Sequence, residues 1–112
     1  MGFGILATLA VALNELPPYY RAAKLVQRAE TLAAHGQDKS AVDFFTNALE
    51  IAPSSKRARL GIALSYFRSP DDADHKKGLD ALEGVTLEKD EWNKLSAVMP
   101  AEYRSLFTDA EK

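Results

Sequence analysis

The sequence predicts an all-α fold of stacked antiparallel helical hairpins, a short solenoid with flanking helices. Three observations carry that expectation. Apolar residues recur at three- and four-residue steps, the spacing that gathers them on one helix face. Proline, glycine and small polar residues fall between these runs, where helix ends need them. A hairpin-sized pattern also returns at an offset of thirty-four residues.

The elements follow in order. Pro18 opens a helix from about Tyr19 to His35, because proline is tolerated in a first helical turn. Ala22, Leu25, Val26, Ala29, Leu32 and Ala33 form its inner face, and Gly36 ends it in the left-handed conformation open to glycine. Asp38 is expected to cap a second helix to about Ala52, with Ala41, Phe44, Phe45, Ala48 and Leu49 inward. Pro53 stops it. Ser54 or Ser55 caps a third helix to about Phe67, carrying Ala58, Leu60, Ile62, Ala63, Leu64 and Tyr66. Ser69-Pro70-Asp71-Asp72 reads as a capping box with Ser69 as the cap, opening a fourth helix that ends near Gly84. Thr86 is expected to cap a fifth helix containing Trp92 and Leu95. Pro100 interrupts it and opens a sixth, with Tyr103, Leu106 and Phe107 on one face.

Two parts are distinguished, an apolar segment over 1–16 and a helical domain over 17–112. Gly2 to Leu13 is apolar apart from Thr8. As a helix it would rise about 18 Å, short of a hydrocarbon core of about 30 Å. A secretory signal would carry a basic residue before its apolar run, and here the first is Arg21. A myristoylation signal is excluded by Leu6 standing where serine or threonine is wanted. The segment is read either as a helix packed on the domain or as a membrane anchor through residues 2–13, whether whole or the tail of a longer anchor that begins upstream of Met1. Arg21, Lys24 and Arg28 follow the run and none precedes it, so an inserted segment would leave the domain on the cytoplasmic side.

Composition narrows the function classes. Fourteen Lys and Arg against sixteen Asp and Glu leave a net charge of −2, which argues against a nucleic-acid partner. With no cysteine, disulfides, thiolate metal sites and cysteine nucleophiles are excluded. No phosphate loop, zinc motif or nucleophile–base pair is present, so neither an enzyme nor a cofactor is expected. The Asp71-Asp72-x-Asp74-His75 run lacks the glycine and closing glutamate of a calcium loop and reads as helix capping. His35, the other histidine, sits in a last helical turn, where it complements the dipole.

At the thirty-four-residue offset Val26 meets Leu60, Ala29 meets Ala63, Leu32 meets Tyr66 and Ala33 meets Phe67. Past the next turn the offset is thirty-seven, pairing Ala41 with Gly78, Phe45 with Leu82 and Ala48 with Val85. The stretch Ala29, Leu32, Gly36, Ala41, Phe45, Ala48, Pro53 resembles one tetratricopeptide repeat (TPR) from its eighth position onward. Ala29 and Ala41 let two helices approach, Phe45 fills the space between them, Ala48 admits the next hairpin and Pro53 breaks the chain. The second copy keeps Gly61, Ala63 and Tyr66 but has Gly78 and Leu82 for the usual alanine and phenylalanine, while Trp92, Leu95, Ser96 and Met99 resemble the opening of a third.

The resemblance implies a TPR-like α-α superhelix and a scaffold or adaptor that binds another protein, as a helix or extended peptide, on a concave face. Transferred by register, that face comprises Val26, Glu30, Arg57, Leu60, Leu64, Phe67 and Arg68, with Ala23, Ala33 and Ala34 beside them. The carboxylate clamp of chaperone-binding members, Lys and Asn at the fifth and ninth positions, is replaced here by Val26 and Glu30, then by Leu60 and Leu64. The surface expected is therefore apolar with charged margins, suited to an amphipathic helix. Two repeats are fewer than usually stand alone, so flanking helices or a second protomer, in a homo- or hetero-oligomer, must cover the ends. The alternative function is a membrane-tethered accessory subunit of a larger assembly, anchored by the N-terminal segment.

Overall fold

A computed structural model describes residues 17–107. Within them run six helices: α1 (Pro18–Ala34), α2 (Asp38–Ile51), α3 (Lys56–Phe67), α4 (Asp72–Ala81), α5 (Lys89–Val98) and the single turn α6 (Ala101–Arg104). No strand occurs among the described residues, so the all-α expectation holds. The apolar segment assigned to 1–16 lies outside the described residues. No described helix is long and apolar enough to cross a membrane.

Each helix packs on its sequence neighbour from α1 through α4, and α3 also touches both α1 and α5. That sharing places α1, α3 and α5 side by side. The first core gathers Ala22, Val26 and Ala29 of α1, Ala41, Phe45 and Ala48 of α2, and Ala58 and Ile62 of α3. The second gathers Ala63 and Phe67 of α3 with Leu82, Leu87, Trp92, Leu95 and Met99. Alanines at the crossings let the backbones close in, and Phe45, 1% exposed, fills what they leave. Its ring lies so near α3 that a β-carbon at Gly61 would overlap it.

The helix ends explain where the chain turns. Gly36 takes φ +78. Its N–H donates to Ala33 O at 3.0 Å and that of Gln37 to Leu32 O at 2.9 Å, a Schellman closure of α1. With Gln37 engaged in that closure, Asp38 is drawn into α2 as its first residue. The expected Asp38 cap is thus corrected: Gln37 is at the N-cap and makes no side-chain capping bond. Ser55 caps α3 as expected, its Oγ accepting from the Ala58 N–H at 3.3 Å.

Two further caps are corrected. Asp71, not Ser69, caps α4, accepting from the Ala73 N–H at 3.0 Å. Ser69 instead donates to Asp74 Oδ2 at 2.7 Å and accepts from the Asp71 N–H at 3.2 Å, leaving Pro70 outside the helix. Glu88, not Thr86, is at the N-cap of α5, where its N–H donates to Glu91 Oε1 at 2.8 Å. The intervening Leu87 is buried and delays the helix until it is seated in the second core. Gly84, φ +76, turns the chain after α4. Beyond Pro100, Tyr103 stands 6.4 Å from Phe67 and Phe107 stands 5.0 Å from Trp92, ring centre to ring centre. Leu106 departs from the expected shared face: α6 is one turn long, and the side chain is 65% exposed.

Two stability measurements follow from Phe45. Phe45→Ala should cost about 3–5 kcal/mol in urea unfolding, since the cavity opens between three helices. Gly61→Ala sets a helix-propensity gain of about 1 kcal/mol against overpacking of about 1–3 kcal/mol, and overpacking wins because the ring leaves no room. In a Phe45→Leu background the same alanine should become neutral or stabilising; an unchanged penalty would show that the ring does not set the approach.

Candidate functional site

An open groove of about 560 Å³ runs across α1, α3 and α5. Leu60 and Leu64, successive on one side of α3, are half-buried and give it an apolar strip. Ala33 and Ala34 of α1 border the strip on one side, and Asp90, Glu91 and Lys94 of α5 border it on the other. The buried Phe45 and Leu95 close the bottom.

Charged pairs tie the walls together. The Arg57 guanidinium grips Glu30 through two nitrogens, Nε donating to Oε2 at 2.8 Å and Nη2 donating to Oε1. This forked bond, together with the Glu30 charge, raises the Arg57 pKa further above its ordinary value. Lys56 Nζ stands 2.7 Å from Glu91 Oε1 and ties α3 to α5. That hydrogen bond and the one from the Glu88 N–H hold the Glu91 carboxyl below its usual range. Arg68 Nη1 is 3.7 Å from Asp38 Oδ1, and its Nε donates to Leu64 O at 3.3 Å.

Five of the seven residues expected on the binding face line this groove: Glu30, Arg57, Leu60, Leu64 and Arg68. The other two are corrected. Val26, 2% exposed, is drawn into the first core between Ala22 and Ala29. Phe67, 4% exposed, turns under α4, where Gly78 leaves room for its ring and Tyr103 covers it. Neither offers a side chain to a partner. The wall from α5 was missed by the register transfer. Its signal was Trp92, which resembles the opening of a third repeat; carried through it, the register puts Asp90 on the face but not Lys94.

The histidines are engaged locally. His35 Nδ1 lies 2.7 Å from Thr31 O, and His75 Nε2 bonds with Ser69 O. Asp71 and Asp74 fix the start of α4 as described. Among the described residues no three His, Asp or Glu side chains converge as a metal ion would need. What the groove offers is apolar area, bordered by both signs of charge. No family model, curated protein or solved structure matches this chain.

Glu91 gives the site a pH signature. A carboxyl whose pKa is lower folded than unfolded stabilises the fold above its unfolded pKa, about 4.3, and loses that contribution as pH falls through the lowered value. Glu91→Gln keeps a side chain able to accept from the Glu88 N–H but removes the charge facing Lys56. It should lower neutral-pH stability by a few tenths to about 1 kcal/mol, as Lys56 is partly exposed. That deficit should shrink on acidification below about pH 4 and vanish at the lowest pH tolerated. Parallel curves at every pH would place the stabilisation in the cap alone.

Proposed function

We propose that this chain is a protein-interaction scaffold of TPR-like architecture, taking an amphipathic helix or an extended apolar peptide of a partner protein along the groove of α1, α3 and α5. The observation that carries the reading is the pairing of half-buried Leu60 and Leu64 with walls of mixed charge, Glu30 and Arg57 on one side and Asp90 and Lys94 on the other. An apolar stripe flanked by both signs suits the apolar face of a helix, with the partner's own charges fixing direction.

The two ends of the described stack differ from its interior. In the repeat register Lys24 and Arg28 of α1 stand where α3 has Ala58 and Ile62. Ala58 and Ile62 are buried in the first core, whereas Lys24 and Arg28 are exposed. A hairpin packed on this side would have to bury two cations, so α1 gives the described stack a polar capping face. At the other end Tyr103 and Phe107 cover the second core. A second reading, a membrane-tethered accessory subunit, is supported by the cations of α1 following the apolar run; it leaves the groove free and is compatible with the first.

A displayed library of amphipathic-helix peptides tests the scaffold. Peptides selected on the full chain should lose at least tenfold in affinity on Leu64→Glu and several-fold on Arg68→Ser, and none on Lys76→Ser, which alters the exposed side of α4. Circular dichroism melts identify variants that stay folded. Binders indifferent to both groove changes would overturn the reading.

A further inference from the structure

Four side chains form a ridge along the outer side of α1: Tyr20, Arg21, Lys24 and Arg28. At about 100° per residue they fall within roughly 100° of arc, and their opposite arc carries Ala22, Val26 and Ala29 into the core. The ridge contains no carboxylate. The one acid of α1, Glu30, lies on the groove side and is held by Arg57. Among the described residues none of Arg21, Lys24 and Arg28 has a carboxylate within 4 Å. Their contacts are aromatic instead: Lys24 Nζ stands 5.7 Å from the Tyr20 ring centre, and the Arg28 guanidinium 5.5 Å from that of Phe44. Arg21 Nε is buried and has no acceptor among the described residues.

The start of the helix adds to this field. Pro17 supplies no side-chain cap, and the first turn carries no acid, so among the described residues nothing compensates the positive end of the helix dipole. Tyr19 and Tyr20 stand exposed there at 72% and 45%. A terminal cap needs only to be soluble, and mixed charge would serve. A ridge of one sign, on a chain whose net charge is −2, matches an anionic surface.

We propose that the outer ridge of α1 is a contact surface for anionic lipid headgroups. A membrane is favoured over other anions by what precedes the ridge in sequence: Gly2–Leu13 is apolar, and only Asn14 to Pro17 separate it from α1. Stable attachment takes two signals, an apolar segment and a basic patch beside it, and here they are consecutive. Exposed tyrosines at the junction suit the headgroup layer, where an amphipathic ring keeps its hydroxyl wet. The three cations span about 10 Å of helix, within about one Debye length of a surface they lie against. Docked in this way, the groove stays open to the aqueous side, because Glu30 and the α3 strip lie off the ridge.

Vesicle co-sedimentation of the full chain tests this. Binding to phosphatidylcholine vesicles carrying about 30% phosphatidylglycerol should exceed binding to phosphatidylcholine alone, and the excess should vanish near 1 M salt, where the Debye length is about 3 Å. Lys24→Gln with Arg28→Gln should reduce the anionic-vesicle affinity roughly fivefold per cation and leave the phosphatidylcholine value unchanged. Lys39→Gln with Lys76→Gln, the same charge change elsewhere, should have little effect. Leu64→Glu should also bind vesicles normally, which separates this surface from the groove. Equal binding to both vesicle types, equal losses in the two double variants, or ridge-dependent binding of duplex oligonucleotide without vesicle binding would each overturn the proposal.

Discussion

Phe45 sets the spacing on which the other contacts depend. Its ring lies against the α3 backbone at Gly61, while Ala29, Ala41 and Ala48, all fully buried, let α1 and α2 close around it. Helix pairs settle where the side chains at the crossing allow, about 8–10 Å apart, and small residues bring them toward the lower end. With α3 drawn in at Gly61, Ala58 and Ile62 reach the first core. Leu60 and Leu64, on another side of the same turns, are left half-buried along the groove. The apolar strip of the groove is thus a consequence of the way α3 is seated.

The second junction solves the same packing problem with the volumes exchanged. In register, Ala33 becomes Phe67, Ala41 becomes Gly78 and Phe45 becomes Leu82. A β-carbon on Gly78 would stand 2.8 Å from the Phe67 ring and 3.2 Å from Ala63 O, so glycine there is the counterpart of the large residue opposite. Departures that look like decay of a repeat one position at a time become complementary when taken together, since packed interiors tolerate changes that conserve volume. One consequence falls on the surface: the ring that register alone puts on the groove is committed to the core.

The helices and their order were legible in the sequence because amphipathic spacing and proline or glycine punctuation are local signals. Gly36, Ser55 and Gly84 act where their chemistry suggested. Three caps were misplaced for one shared reason. Asp38, Ser69 and Thr86 are each good capping residues close to a helix start, but the start is chosen by a neighbouring contact: the Schellman bond of Gln37, the Ser69–Asp74 pair and the burial of Leu87. Such contacts depend on how the chain folds back, and residue type alone does not encode it. The register transfer put Arg57, Leu60, Leu64 and Arg68 of α3 on the groove, although that copy matches the repeat pattern less closely than the first. Val26 and Phe67 were misassigned because a shared register fixes the direction of a side chain without fixing what stands over it. The α5 wall depended on reading a third repeat from Trp92 with Pro100 cutting it short.

The ion pairs across the groove and the cores beneath it act on different scales. Partly exposed pairs contribute about 0–1 kcal/mol each, while burying one large apolar side chain contributes about 1.5–3 kcal/mol. The width of the groove is therefore set by Phe45, Leu95 and Trp92, and neither the Glu30–Arg57 nor the Lys56–Glu91 pair governs it. The pairs are exchangeable. Arg57 has 62% of its side chain exposed, and a carboxylate arriving on a partner could replace Glu30 on the guanidinium with little loss to the fold. Glu91 is less free, because the same oxygen that faces Lys56 also accepts the Glu88 N–H that starts α5. One rim of the groove can thus exchange its ion pair while the other is fixed to the helix framework, so the apolar strip lies between two charged rims of unequal freedom.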